Sequence, residues 1–412
     1  MSQTHSPLVD HVPGASTEDG SGFEGHQGLL VATARHYGRP LIEQSLVDEG
    51  GTGVIDGWSH TAITVTGPDA ATWLNDLISQ KVDAMTVGSS THGLILDVQG
   101  RVEHAFGISA VADGTFLLDA PGDSDATALA DFLSRMVFWS QVEVSTPELS
   151  LISVVNPDVS PAAAAGTGVP EGVSGLSGLS GGPADSVRYW TTRTLGGHPV
   201  TDVWVDTAGL AGCWDALVSA GAQPVGGWAA DALRIRDRRP LLGIDTDERV
   251  IPHEVPGFIG DDTPSAHGAT QLARADDGPT ASAVHLNKGC YRGQETVSRV
   301  HNLGRPPRQL VVLQLDGSGQ SLPEVGAAVL AGTRSVGRIG LTVQDADDGP
   351  VALALVKRQV IEKLAADRET GGHETPPLTV DGVDAAVDPD DVVVDNTVRP
   401  GRAAVDRLRG KI

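Results

Sequence analysis

A chain of 412 residues has room for about three domains. Its formal charge of -24, from 53 acidic against 29 basic residues, repels nucleic-acid phosphates and anionic lipid, so neither nucleic acid nor a membrane is an expected partner. The two cysteines, Cys213 and Cys290, form no CxxC pair and are too few for a disulfide framework, a zinc finger or an iron-sulfur cluster, and no metal site is expected.

Met1 to Gly28 is polar and Gly-rich, without the apolar centre of a signal peptide, and no apolar run approaches membrane-spanning length. The expected compartment is the cytoplasm, and residues 1–28 read as a disordered tail. Leu29 to Glu49 reads as a helix that ends at Gly50. Ile63 to Thr66 alternates as a strand, and Ala70 to Ile78 places Trp73, Leu74, Leu77 and Ile78 on one helical face. Leu94 to Asp97 and Val102 to Ile108 are strands about the Gln99-Gly100 turn, Thr115 to Asp119 is another, and Ala126 to Phe138 is a second amphipathic helix. The interleaving is that of an α+β domain with short antiparallel strands.

Between Asn156 and Ser186 the composition shifts to Ala, Gly, Ser and Pro, which reads as a flexible surface insertion. Its GLSGLSGG run lacks the GK[ST] ending of a phosphate loop. From Arg188 the pattern resumes with a strand at Val203 to Val205 and helices from Leu210 to Ala220 and from Trp228 through Arg236, Cys213 being a core or helix-face position of the first. In residues 233–255 the acids Asp245, Asp247, Glu248 and Glu254 crowd with His253, but the spacing is neither that of an EF-hand nor HExxH, and a solvated turn is the expectation. After Pro306-Pro307, short strands at Gln309–Leu315, Ala327–Leu330, Ser335–Val343, Val351–Val356 and Leu378–Val387 suggest a small antiparallel barrel.

The run Asn287-Lys288-Gly289-Cys290-Tyr291-Arg292-Gly293-Gln294-Glu295 reads as a Gly-rich turn feeding a helix from Gln294 to Leu303. Cys290 then stands about one turn before a helix N-terminus, flanked by Lys288 and Arg292, and both features favour a thiolate. A reactive thiol beside a ligand and a small apolar side chain in a turn are both open readings.

KGCYRGQE resembles the signature of the YgfZ-type folate-binding proteins, relatives of the glycine-cleavage aminomethyltransferase associated with iron-sulfur enzymes. SHTAITVTGPDAATWLNDLISQKV with LILDVQGRV, and VGRIGLTVQDADDGPVALALV, resemble the first domain and the barrel of the same family. The resemblance implies two ferredoxin-like α+β domains and a C-terminal β-barrel, aminomethyltransferase-like, around a central cavity for tetrahydrofolate or a one-carbon derivative. The organisation is then a tail over 1–28, a folate-binding domain over 29–155, the insertion over 156–186, a second domain with the cysteine loop over 187–305, the barrel over 306–390 and a charged tail over 391–412.

It also implies a role supporting assembly or repair of iron-sulfur enzymes, with client enzymes or assembly factors as partners and the cluster in another protein. The aspartate pair of aminomethyltransferases corresponds here to His104 and Ala105, which disfavours glycine cleavage. Asp202 is the nearest match to the glutamate that binds the pterin, the alternative being an exposed strand-edge aspartate. Arg292 and Arg308 are the candidates for the folate glutamate tail, and Lys288, Gly289, Tyr291, Gly293, Gln294 and Glu295 of the loop are further candidate folate-binding residues. Cys290 is the candidate catalytic thiol. Three readings remain: thiol or one-carbon chemistry at Cys290, an accessory factor without turnover, and a folate-dependent aminomethyl- or methyltransferase.

Overall fold

The computed structural model describes residues 5–17, 33–158, 165–171, 173, 175–176, 182–259, 282–318, 322–372 and 375–392. Much of the expected N-terminal tail and all of the tail from 393 onward lie outside these residues. What is described of the first 28 residues is not all tail. Ser6 accepts a hydrogen bond from the Leu8 N–H at 3.2 Å, starting helix α1 (Pro7–His11). Leu8 is fully buried with Trp214 and Leu217, so this helix is part of a core.

Of the long helix expected over Leu29 to Glu49, residues 29–32 lie outside the described residues, 33–39 are not helical, and α2 (Pro40–Asp48) begins where proline occupies the first helical turn. Strands β1 (Gly53–Asp56) and β2 (His60–Thr66), helix α3 (Ala70–Leu77), and strands β3 (Ser90–Leu96), β4 (Val102–Ala112) and β5 (Thr115–Pro121) follow. Next come α4 (Asp123–Arg135), β6 (Glu143–Ser145), β7 (Leu149–Val155) and β8 (Ala165–Thr167). The second half continues with β9 (Val187–Leu195), β10 (His198–Asp206), α5 (Leu210–Ser219), β11 (Gln223–Val225), α6 (Gly227–Arg236) and α7 (Gln294–Leu303).

The strands form two sheets whose membership crosses the expected boundary at residue 155. One has the order β3-β4-β5-β2-β6; the other has the order β11-β1-β7-β10-β9-β8. Thus β1 and β7, both before residue 156, lie in the second sheet, and β8, inside the expected flexible insertion, pairs with β9. A division at 155 splits a sheet; the sheets, not the sequence order, define the units.

Helices cover the outer face of each sheet, and part of each inner face also meets helices: Leu94 and Leu96 share a core with Ala232, Ile235 and Val297, and Ile55, Val155 and Val200 share one with Val47, Ala229 and Leu233. Ile63, Val65, Ile95, Ile108, Phe116 and Leu118 meet α3 and α4 under the first, while Ile152, Val203 and Val205 meet α1 and α5 under the second. The other two faces turn toward each other, and a short apolar seam of Ala62, Val111, Leu117, Leu151, Ala165 and Trp204 holds them together.

The C-terminal unit contains β12 (Arg308–Leu315), β13 (Ala328–Ala331), β14 (Arg334–Asp345), β15 (Gly349–Lys357), helix α8 (Arg358–Thr370), β16 (Leu378–Val380) and β17 (Val383–Val387). Pairing of β12 with β17 closes it as a barrel, as expected. Helix α8 went unread because its sequence is mostly polar; its local signals are the Arg358–Glu362 pair four residues apart and Gly371, which ends it at φ 68°.

The acid-rich segment after α6 is a solvated turn only around Glu248 and Arg249, whose side chains are exposed, while Asp245 and Glu254 are buried. Asp245 is fully buried, receives Arg234 Nη1 at 2.6 Å and accepts the Leu341 N–H at 2.9 Å, which ties the second unit to β14 of the barrel. Arg236 bridges Asp48 and Asp345 across the same junction, at 2.8 and 2.9 Å. Among the described residues no group of three or more His, Cys, Asp or Glu could hold a metal ion, and no helix is long and apolar enough to cross a membrane.

Candidate ligand site between the two sheets

Strand alternation decides which side chains enter the space between the sheets. On the first sheet, β3–β4 pairing sets His92 opposite Gly107, and β4–β5 pairing sets Gly107 opposite Asp119. All three share the face that turns toward the second sheet, and His60 lies near them at the start of β2, its register partner being Pro121. On the second sheet, Asp202 of β10 stands opposite Ser153 of β7, and Arg193 of β9 reaches it from the other side.

These groups make two charge pairs. His60 Nδ1 lies 2.6 Å from Asp119 Oδ1, with the two side chains 30% and 24% accessible. Arg193 Nε donates to Asp202 Oδ2 at 2.5 Å and Nη2 to Oδ1 at 3.2 Å, while Ser153 Oγ donates to Oδ1 at 2.5 Å. Asp202 is only 1% accessible, whereas Arg193 remains 24% accessible. The expectation for Asp202 therefore needs correction. It belongs to the inter-sheet wall, but three donors already occupy it, so the group presented to a ligand is the Arg193 guanidinium that it holds.

The electrostatics separate the two histidines. Desolvation works against a charged His60, but the Asp119 carboxylate and its hydrogen bond outweigh it and raise the pKa above the ordinary value. Burial also opposes ionisation of Asp119, yet His60 and then Arg193 and His92 bring its carboxyl below the usual range. For His92, desolvation and the positive charges of Arg239 and Arg193 push the pKa down to about 4, leaving a neutral ring. Its side chain is nevertheless accessible. The inter-sheet face is therefore open to solvent at His92.

The cysteine loop is built differently. Gly293 takes φ 80° as the cap of α7, and a Cβ there would stand 2.7 Å from the Asp97 carbonyl and 3.0 Å from Gly100 Cα. Two glycines from motifs far apart in sequence thus pack backbone to backbone, which brings KGCYRGQE onto the Gln99-Gly100 turn. Lys288 is buried, and its ammonium donates to the carbonyls of Asn75, Ile78 and Gln80 at the C-terminal end of α3, with the Tyr291 ring 5.1 Å away. Burial lowers its pKa to about 8.

Arg292 pairs with Glu103 at 2.9 Å, Gln294 donates to the Lys288 carbonyl at 3.4 Å, and Gly289 and Glu295 are exposed. Tyr291 packs in the core where the three units meet. Cys290 is exposed and makes no hydrogen bond among the described residues. The two cations expected to hold a thiolate are engaged elsewhere, so the loop is a packing device with a thiol on its outer side. Arg308 is not free for a ligand carboxylate: Asp247 at 2.6 Å and Glu254 at 2.8 Å occupy its guanidinium.

His104 and Ala105 border a cavity of about 40 Å³ together with Pro240, Leu241 and Leu242. That is far below the several hundred Å³ (~300 or more) that small-molecule sites enclose. His60, His92, Asp119 and Arg193 were missed in the sequence, although a signal exists. Each is polar on a strand face opposite an apolar one, where a second layer must lie.

Two facing sheets and a closed barrel, joined by buried arginine–aspartate pairs around a polar cleft, define an aminomethyltransferase-like fold. Residues 43–167 match the family model described as the GCVT N-terminal domain. An aminomethyltransferase of Stenotrophomonas maltophilia (strain R551-3) is 24% identical over 287 residues, 65% of this chain and 76% of that protein. One of Streptomyces avermitilis is 25% identical over 324 residues, 76% of this chain and 80% of that protein. The crystal structure of glycine cleavage system aminomethyltransferase T from Bartonella henselae superposes with a TM-score of 0.67 at 17% identity, covering 94% of this chain and 96% of that one. That likeness shows the fold.

Proposed function

We propose that this chain binds a reduced folate, tetrahydrofolate or a one-carbon derivative, in the cleft between its sheets, and that it serves in the cytoplasm as a YgfZ-type accessory protein for assembly or repair of iron-sulfur enzymes. The observation that carries the reading is the pair of accessible groups facing each other across the cleft, His60–Asp119 on one sheet and Arg193 on the other. A reduced pterin offers ring N–H and amino donors and carbonyl acceptors. The accessible Asp119 carboxylate, two imidazoles and Arg193 with Arg239 form a matching donor and acceptor set. When bound, the folate would supply the nitrogen that carries a one-carbon unit.

The accessory role is favoured over glycine cleavage because His104 and Ala105 stand at the aspartate-pair positions beside a cavity too small for a pterin. Exposed Cys290 suits contact with a client protein better than contact with the ligand. Aminomethyl or methyl transfer is the second reading, supported by the names of the curated relatives.

The test is anaerobic titration with tetrahydrofolate, followed by tryptophan fluorescence. Trp204 is fully buried between the sheets, two residues from Asp202, and is a suitable reporter. The expected result is saturable binding by the native chain and by Cys290→Ala, lost in Arg193→Met. Absence of binding by the native chain overturns the proposal, and folate-dependent transfer that survives Cys290→Ala favours the second reading.

A further inference from the structure

We propose that His60 exchanges a proton with the ligand bound in the cleft, and that Asp119 is the positioning residue that holds its ring for this. The inference rests on the folate reading above and deepens it by naming the group that would work on the ligand.

The geometry leaves His60 one role for each nitrogen. An ionised carboxylate only accepts, so the 2.6 Å contact to Asp119 requires a proton on Nδ1. Nε2 makes no hydrogen bond among the described residues, on a side chain that is 30% accessible. A ring oriented by a carboxylate through one nitrogen and open at the other is the arrangement that general acid–base chemistry needs.

The cleft also provides a floor for a flat ligand. Gly107 separates His92 from Asp119 in one register row, so the two side chains stand two strand spacings apart, ~10 Å, with no side chain between them. A Cβ at Gly107 would find Asp119 Cβ at 3.4 Å, an ordinary contact, so the gap has room for atoms.

The charged and titratable groups that act on His60 or its neighbours come from both sheets: Asp119 on β5, His92 on β3, Arg193 on β9, Asp202 on β10 and Arg239 after α6. The ligand class this suits is a flat heterocycle carrying a basic nitrogen. The step balances simply. Nε2–H of the imidazolium gives its proton to the ligand nitrogen, an N–H bond forms there, the ring is left neutral, Asp119 stays ionised, and solvent restores the proton. The reverse step takes a proton from the ligand. The accepting ring of neutral His92 lies across the Gly107 floor, which gives the cleft a protonated and an unprotonated imidazole together.

Two measurements on the full chain test this. The first is calorimetric titration with tetrahydrofolate in two buffers of different ionisation enthalpy, at a series of pH values, which reports the protons exchanged on binding. The native chain is expected to exchange close to one proton at pH values above the ordinary histidine pKa of ~6.5. His60→Gln is expected to bind more weakly and, at tetrahydrofolate concentrations that saturate it, to lose that exchange, and Asp119→Asn to move its midpoint to lower pH.

The second follows the His60 ring resonance with pH in the ligand-free protein, where Asp119→Asn should lower its midpoint. An unchanged proton count in His60→Gln, or a His60 titration indifferent to Asp119→Asn, overturns the dyad while leaving the folate reading intact. Failure of the native chain to bind tetrahydrofolate overturns both.

Discussion

The cysteine loop and the inter-sheet cleft hold similar numbers of charged groups but dispose of them in opposite ways. In the loop, Lys288 is sunk onto three carbonyls and Arg292 is closed by Glu103, so the charge serves packing. In the cleft, Asp202 is buried and satisfied while Arg193, His60, Asp119 and His92 keep accessible surface. The loop is conspicuous as a sequence and ordinary as chemistry. The cleft is the reverse, because its residues are scattered over five strands and meet only on a shared face. An unusual motif can mark a place where two backbones touch as readily as a place where a bond is made.

Substitutions separate these two regions in a definite order. The largest effect is expected from Arg193→Met, which strands the 1% accessible Asp202 carboxylate without its partner. Removing one member of a buried pair costs ~3–5 kcal/mol, and some residual exposure places this case near ~3, measured by denaturant unfolding. Ligand binding should vanish with it. If stability falls by less than ~1 kcal/mol, the pair is an ordinary surface contact and the cleft is not what it is taken to be.

Lys288→Met should cost ~2–3 kcal/mol, since three carbonyls lose a charged donor, and should leave tetrahydrofolate binding within a few-fold. Loss of binding at unchanged stability would make the loop part of the ligand site. Gly293→Ala, which needs φ 80° and meets the Asp97 carbonyl, should cost ~2 kcal/mol in the same assay, with little effect from Gly289→Ala, whose Cβ would meet nothing within 4 Å.

A smaller effect tests the His60–Asp119 pair through pH. The folded-state pKa of His60 is raised, so its contribution is fully present below its unfolded value of ~6.5 and is lost as pH rises through the folded value. That of Asp119 is depressed, so its contribution is present above ~3.9 and is lost as pH falls through the folded value. The stability difference between the native chain and His60→Gln should therefore be greatest at pH ~4–6.5 and shrink above it, staying below ~1 kcal/mol because both groups are partly exposed. A difference that grows with pH would reverse the assignment of charge. Smallest of all, Cys290→Ser should change unfolding by less than ~0.5 kcal/mol, because the thiol is exposed and unbonded. A larger loss would show that the loop is sealed from solvent.

Much of this protein was legible in the sequence. Alternation and helical periodicity located β2, α3, β3 to β5, α5 to α7 and most barrel strands, because these are local properties written at periods of two and 3.6 residues. Cys213 as a core position followed from the apolar neighbours on its helix, and it is fully buried. The barrel followed from evenly spaced short strands between Gly, Asp and Pro turns. Local signal failed where a segment is stabilised from outside itself: α1 is five residues long and depends on its Leu8 anchor, and β8 is three residues held by β9.

The sequence by itself determined most of the periodic elements, the acidic balance and the antiparallel barrel of an aminomethyltransferase-like fold. Only the tertiary structure decided which sheet β1 and β7 join, that Gly100 and Gly293 lie in contact, that Asp202, Arg308 and Lys288 are already partnered, and that His60, His92, Asp119 and Arg193 share one cleft. Periodicity records which face of an element is apolar. It does not record what that face meets, and the availability of a charge depends on what stands opposite it after folding.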